Sequence, residues 1–217
     1  MQKTLTKFVA GATFIGTLAA ASIAFAAPTP NGPISTAPGQ NKIVCFDGLS
    51  DPDIYSGTCT LNSNVAKGSA TLDLTSGDPD GDYAGVYTLQ SGLYGATLSS
   101  ITQLSYHYTA SITPQPGNLS CNIPIDTNGD GTTEAYAFVD AYYCPGTGGT
   151  VDIVNDPNCG IYYNGTDFYP NWAAFIAAYP GAKVATDNYV FIVAERTGSE
   201  PAATYTVNNV KFGKAGK

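Results

Sequence analysis

Nine residues near the middle of the chain, Asp126-Thr127-Asn128-Gly129-Asp130-Gly131-Thr132-Thr133-Glu134, put side-chain oxygens at alternate positions with glycines where the backbone must turn. A hard divalent cation asks for that pattern, because calcium collects six to eight oxygens at about 2.4 Å. Asp126, Asn128 and Asp130 are the candidate metal ligands, and calcium is the candidate cofactor. In an EF-hand register the twelfth position is Ala137, where a bidentate carboxylate belongs, and the flanking segments alternate like strands. The same residues therefore also read as a hairpin turn, which Asp, Asn and Gly favour with no ion present. Asp78-Pro79-Asp80-Gly81-Asp82 is a second acidic turn with the same two readings, and Pro79 limits how its backbone can wrap.

A second chemistry belongs to ring faces. Gly160 to Trp172 is dense in aromatics beside Asn and Asp, and Tyr162, Tyr163, Tyr169 and Trp172 are the candidate ligand-binding platforms. A ring packs on the C–H faces of a sugar while amides and carboxylates bind its hydroxyls. The competing reading is that these rings fill the space between a helix and a sheet.

Catalytic groups are few. His107, the only histidine, lies between Tyr106 and Tyr108 in an alternating run and reads as an outward or satisfied polar residue. Asp140 shares a strand face with Phe138 and Tyr142, and Glu195 shares one with Phe191 and Val193. Such surroundings raise a carboxyl pKa. An opposed carboxylate pair could serve a divergent glycoside hydrolase, but the E-x-D-x-E signature of jelly-roll glucanases is absent and no catalytic residue is assigned.

The elements that must hold these groups are mostly strands. From Ile43 onward short runs alternate apolar and polar residues between Gly, Pro, Asn and Asp clusters, as in Leu72 and Leu74, or Leu104, Tyr106 and Tyr108. Further strands are expected at Leu119–Ile125, Ala135–Tyr143, Tyr189–Arg196 and Thr204–Phe212, making eight or more in all. Trp172 to Tyr179 breaks the rhythm: Trp172, Phe175, Ile176 and Tyr179 share one helical face, Asn171 is placed to cap it, and Pro180-Gly181 ends it. One short helix across antiparallel strands, with no βαβ rhythm, predicts an all-β, jelly-roll-like sandwich.

Composition narrows the partners. Lys3 and Lys7, an apolar stretch from Phe8 to about Ala24, and Ala24-Phe25-Ala26 form an export signal over residues 1–26. Residues 27–41 read as a disordered leader and 42–217 as the folded domain, secreted and without membrane insertion once the signal is removed. Past residue 26 seven Lys and Arg face seventeen Asp and Glu. That acidity argues against nucleic acid and anionic lipid, whose binding depends on basic side chains. All five cysteines lie in the exported part, where disulfides persist. Cys45 with Cys59, and Cys144 with Cys159, are the expected pairs, with Cys121–Cys144 as an alternative. The odd thiol allows self-association through a cysteine or a sheet edge.

Leu98-Ser99-Ser100-Ile101-Thr102-Gln103-Leu104-Ser105-Tyr106, the Asp126–Gly131 turn, Ala173–Val184 and the closing Val207-Asn208-Asn209-Val210-Lys211-Phe212-Gly213 together resemble a group of exported bacterial β-sandwich domains. These are similar in outline to concanavalin-like and galactose-binding-like jelly rolls and end in a V-D-N-V-x-F-G strand. Asn208 stands where that pattern has Asp, so no metal role carries over to it. The resemblance implies fold and export. The functional expectation is a non-catalytic module for carbohydrate or another extracellular ligand, possible calcium stabilisation included, with a self-associating structural protein as the alternative.

Overall fold

Side chains that alternate in character along an extended chain go to opposite sides of a sheet, and here two sheets seal their apolar sides against each other. The computed structural model describes residues 43–47, 57–62, 68–76, 81–89, 92–144, 146–197 and 199–214; the signal and leader expected at 1–26 and 27–41 lie outside them. The strands are β1 (Ile43–Asp47), β2 (Thr58–Leu61), β3 (Ala70–Leu74), β4 (Asp82–Thr88), β5 (Ile101–Ala110), β6 (Leu119–Asp126) and β7 (Ala135–Asp140). They continue with β8 (Thr150–Asp152), β9 (Ile161–Tyr163), β10 (Asp167–Tyr169), β11 (Lys183–Val184), β12 (Phe191–Arg196) and β13 (Ala203–Lys214). The larger sheet runs β1-β4-β12-β6-β7-β9-β10, with β11 also paired to β6; the smaller runs β2-β3-β13-β5-β8. All pairings are antiparallel, as expected of the all-β, jelly-roll-like sandwich.

Leu72, Leu74, Leu104, Tyr106, Tyr205 and Val207 point inward from the smaller sheet and are buried. Val86, Leu119, Ile123, Val139, Ile192 and Ala194 oppose them from the larger one. Each fully buried aliphatic side chain contributes roughly 1.5–3 kcal/mol, so the alternating pattern carries most of the fold's stability. In β13 the buried Val207 and Val210 are three residues apart, one too many for simple alternation. The strand absorbs the extra residue as a bulge between Asn208 and Lys211, with Asn209 at φ 52°. Asparagine tolerates that left-handed backbone better than most side chains.

Seven strands side by side outreach the five that face them. The helix α1 (Trp172–Ala178) covers the excess, laying Trp172, Phe175 and Tyr179 near Tyr163 and Tyr169 of the β9–β10 hairpin. Asn171 caps it as expected, its side-chain oxygen accepting from the Ala174 N–H at 2.9 Å.

Both expected disulfides form. Cys45–Cys59, with Cα atoms 5.5 Å apart, joins β1 of the larger sheet to β2 of the smaller. Cys144–Cys159, at 4.1 Å, closes the excursion between β7 and β9. Cys121 is free and buried inside, so the alternative pairing with Cys144 does not occur. Among the described residues one ion pair is buried: Arg196 reaches Asp82 through Nη2 at 2.6 Å and Nε at 2.7 Å. Two expected strands are shorter than their patterns: β12 begins at Phe191 rather than Tyr189, and β7 also ends early. β7 stops at Asp140 rather than Tyr143, because the Asp140 carboxylate accepts from the Tyr142 N–H at 2.8 Å and caps a 3-10 turn over Ala141–Tyr143.

Candidate functional site

The acidic loop joins β6 to β7 as a hairpin connection. Asp126 is buried, and its two oxygens accept from the Gly129 N–H at 2.5 Å and the Gly131 N–H at 2.9 Å. Those glycines sit at φ 88° and 91°, a backbone that side chains rarely adopt. Asn128 accepts from the Asp130 N–H, and Asp130 accepts from the N–H and hydroxyl of Thr132, which hold its carboxyl below the ordinary value. Glu134 folds back to accept from the Thr127 N–H at 2.5 Å and from the Asn128 amide at 2.7 Å. Ligand oxygens of Asp126, Asp130 and Glu134 lie within 4.8 Å of one another, so the three could hold a metal ion. Glu134, at the ninth position of the loop, is a further carboxylate beside Asp126 and Asp130 that the candidate ligand set from the sequence does not include. The donor set is all oxygen and suits a hard cation. The Lys183 ammonium lies 3.7 Å from where a side chain on Gly129 would begin, so the loop already has a positive neighbour. Of the second acidic turn, Asp78 and Asp80 lie outside the described residues, and Asp82 is the partner of Arg196.

The four rings singled out in the sequence part company. Trp172 is 3% and Tyr163 8% exposed, both in the core under α1, so neither presents a face to a ligand. Tyr169 is half-buried on the same side, its hydroxyl 3.1 Å from that of Tyr179 and its ring against Phe175. Alternation along β9 and β10 sends Tyr163 and Tyr169 inward and Tyr162 outward. Only Tyr162 of the four therefore stands on the outer side of the larger sheet.

There Tyr162 belongs to a row that the sequence alone did not reveal. Strand register places Tyr87 of β4 opposite Phe191 of β12, Phe191 opposite Asn122 of β6, and Asn122 opposite Phe138 of β7. Phe138 then lies opposite Tyr162 of β9, and Tyr162 opposite Phe168 of β10. Six residues thus line up across six adjacent strands on one face, a span of about 24 Å at ~4.8 Å per strand. Ring pairs extend the row at both ends. Tyr87 stacks on Tyr189 with centroids 4.6 Å apart, and Tyr162 touches Phe168 at 5.0 Å and Tyr143 at 5.9 Å. Tyr87 and Asn122 are buried, at 7% and 2% exposed, and the accessible part of the row lies toward the β10 end, where Phe168 is 53%, Tyr142 49% and Tyr143 37% exposed.

Two carboxylates share this face. Asp140 is the next outward residue of β7 after Phe138, opposite Ser120, and accepts from the Gly117 N–H at 2.5 Å. Burial raises its pKa above the ordinary value, and the two N–H donors pull it partly back. Glu195 is two outward positions beyond Phe191 on β12. Burial pushes its pKa up to about 7, with the Asp140 and Glu200 carboxylates adding to the rise. His107 stands in the other layer, on β5 opposite Asn208 and Thr150, remote from these groups in the topology.

No known protein family matches the chain, and no curated protein is similar to it in sequence. The fold is a two-sheet antiparallel sandwich with two disulfides, which fit an oxidising compartment. Among the described residues no helix is long and apolar enough to cross a membrane. A native family 12 xyloglucanase from Bacillus licheniformis is a loose structural neighbour, with a TM-score of 0.38 and 11% sequence identity over 86% of this chain and 98% of that one, too distant to bear on activity.

Proposed function

We propose that this protein is a secreted, non-catalytic carbohydrate-binding module whose ligand lies along the outer face of the larger sheet. The supporting observation is the cross-strand row from Tyr87 to Phe168, in which ring after ring is held at one height by strand register. Sugar rings stack on such faces, and the phenol of Tyr162 offers a polar partner for hydroxyls. The site so read keeps Tyr162 from the sequence expectation and replaces Tyr163, Tyr169 and Trp172 by Phe168, Phe138 and Phe191.

Tyr162→Ala combined with Phe168→Ala should weaken binding to an immobilised polysaccharide panel at least tenfold, since well-placed aromatic contacts cost 1–2 kcal/mol or more on truncation. Affinity electrophoresis measures the loss, and an unchanged circular dichroism spectrum shows that the fold survives. Retention of full binding by the double variant would reject the site.

The acidic loop supports the metal part of the proposal, with calcium as the ion. Added calcium should raise the unfolding temperature, by an amount equal to about 2.7 kcal/mol at a hundredfold excess over the dissociation constant. Glu134→Gln should reduce the gain. Calorimetry showing no shift up to millimolar calcium would assign the loop to a plain hairpin.

A further inference from the structure

We infer that the ligand of the aromatic row is an extended, uncharged glycan chain laid across the strands, and that Asp140 and Glu195 are specificity residues that turn anionic polysaccharides away. This rests on the proposed carbohydrate site and names the class of polymer it takes.

The argument begins with where the cations are. The described residues include four, Lys183, Arg196, Lys211 and Lys214. Arg196 points to the core side of β12 and is held by Asp82. Lys211 and Lys214 belong to β13 in the other sheet. Lys183 pairs with Asp126, four residues along β6 from Asn122 and roughly 13 Å from the row at ~3.3 Å per residue, and its ammonium is drawn to the acidic loop. Among the described residues, an anionic polymer stretched over Phe191, Phe138 and Tyr162 would meet no basic group there.

It would meet two acids instead. Asp140 stands two residues from Phe138, roughly 7 Å from the row. Among the described residues its oxygens accept only peptide N–H groups, from Gly117 and Tyr142, and no cation neutralises it. Glu195 lies farther along the same face, and its side chain is engaged by no donor among the described residues. A uronic acid unit over the row would be repelled by Asp140 within about one Debye length, whereas a neutral sugar would offer hydroxyl donors to the same carboxylate. Shape sets the second limit. The row advances one strand at a time along a line of register, so stacked sugar units must advance with it, which an extended chain does and a tightly coiled one does not.

The experiment compares a soluble neutral linear β-glucan, amylose, and polygalacturonate by calorimetric titration of the whole protein at pH 8, where both carboxyls carry charge, in 20 mM and 300 mM salt. The linear β-glucan should bind independently of salt. Polygalacturonate should bind at least tenfold more weakly in 20 mM salt and recover part of that deficit in 300 mM. Asp140→Asn with Glu195→Gln should narrow the ratio between the two polymers, and the salt series on the unaltered protein decides the matter even where that variant fails to fold. Polygalacturonate or amylose binding as tightly as the β-glucan in 20 mM salt would overturn the inference and leave the carbohydrate site standing. Binding of none of the three would overturn the site itself, and the inference with it.

Discussion

Replacing Asp82 by alanine is expected to cost about 3–5 kcal/mol of folding stability, the amount by which breaking one side of a buried ion pair strands its partner. The Arg196 guanidinium reaches Asp82 through two nitrogens, and its third donates to the carbonyls of Thr197 and Glu200 at 3.3 and 3.1 Å. With the carboxylate gone the cation keeps its backbone acceptors and loses the charge of Asp82 in a place almost closed to water. Ser76, whose hydroxyl donates to Asp82, loses that acceptor as well. Against a typical total of 5–15 kcal/mol, the urea midpoint should fall by about a fifth or more. The double variant Asp82→Leu with Arg196→Met should recover most of the loss, because well-packed apolar residues often replace a buried ion pair without penalty. A midpoint that scarcely moves in Asp82→Ala would show that the pair is not sealed from solvent.

Stability should also fall as the pH rises from about 4.5 to 7, and Glu195 is the group responsible for most of that slope. Its folded pKa of about 7 stands above the ordinary 4.5 because the carboxyl is buried and because Asp140 and Glu200 are negative neighbours. A carboxyl raised in this way binds its proton more tightly in the folded state than in the unfolded one. Its contribution is present in full below pH 4.5, declines through the window between the two values, and is gone above 7. The difference of two to three pH units corresponds to about 3 kcal/mol. Asp140 is shifted in the same direction by burial and adds to the trend. Chemical denaturation at pH 5 and pH 8 measures the drop. Glu195→Gln, which cannot lose a proton, should flatten most of it and leave the pH 8 protein more stable than the original. A slope that persists unchanged in the glutamine variant would place its origin elsewhere.

Much of the architecture is legible because burial enforces alternation. Leu72, Leu74, Leu104 and Tyr106 announce their faces by spacing, and Asn171, Phe175 and Pro180 announce the helix. Both disulfides follow from the polar stretches they enclose. The row is not legible in the same way: Tyr87, Phe191, Asn122, Phe138, Tyr162 and Phe168 are scattered over the chain and meet only through strand register. Register depends on turns and on bulges such as the one at Asn209, which local patterns do not specify. Within Gly160–Trp172 the error had a local cause. Successive residues of a strand face opposite ways, so Tyr162 and Tyr163 cannot serve one surface, and Tyr163 went beneath the helix. Glu134 is eight residues from Asp126, and only the hairpin that returns the chain brings its carboxylate beside those of Asp126 and Asp130.

The Cys45–Cys59 bridge has a mechanical consequence. Among the described strands β1 is the outermost ribbon of one layer, hydrogen-bonded laterally to β4, and by itself it would peel from that edge one hydrogen bond at a time. The covalent tie to β2 spreads a pull applied from the N-terminal side over both layers at once. Reducing agent should therefore lower the force at which the first strand detaches, and the newly bared rim of β4 would then be a template on which another extended chain could zip.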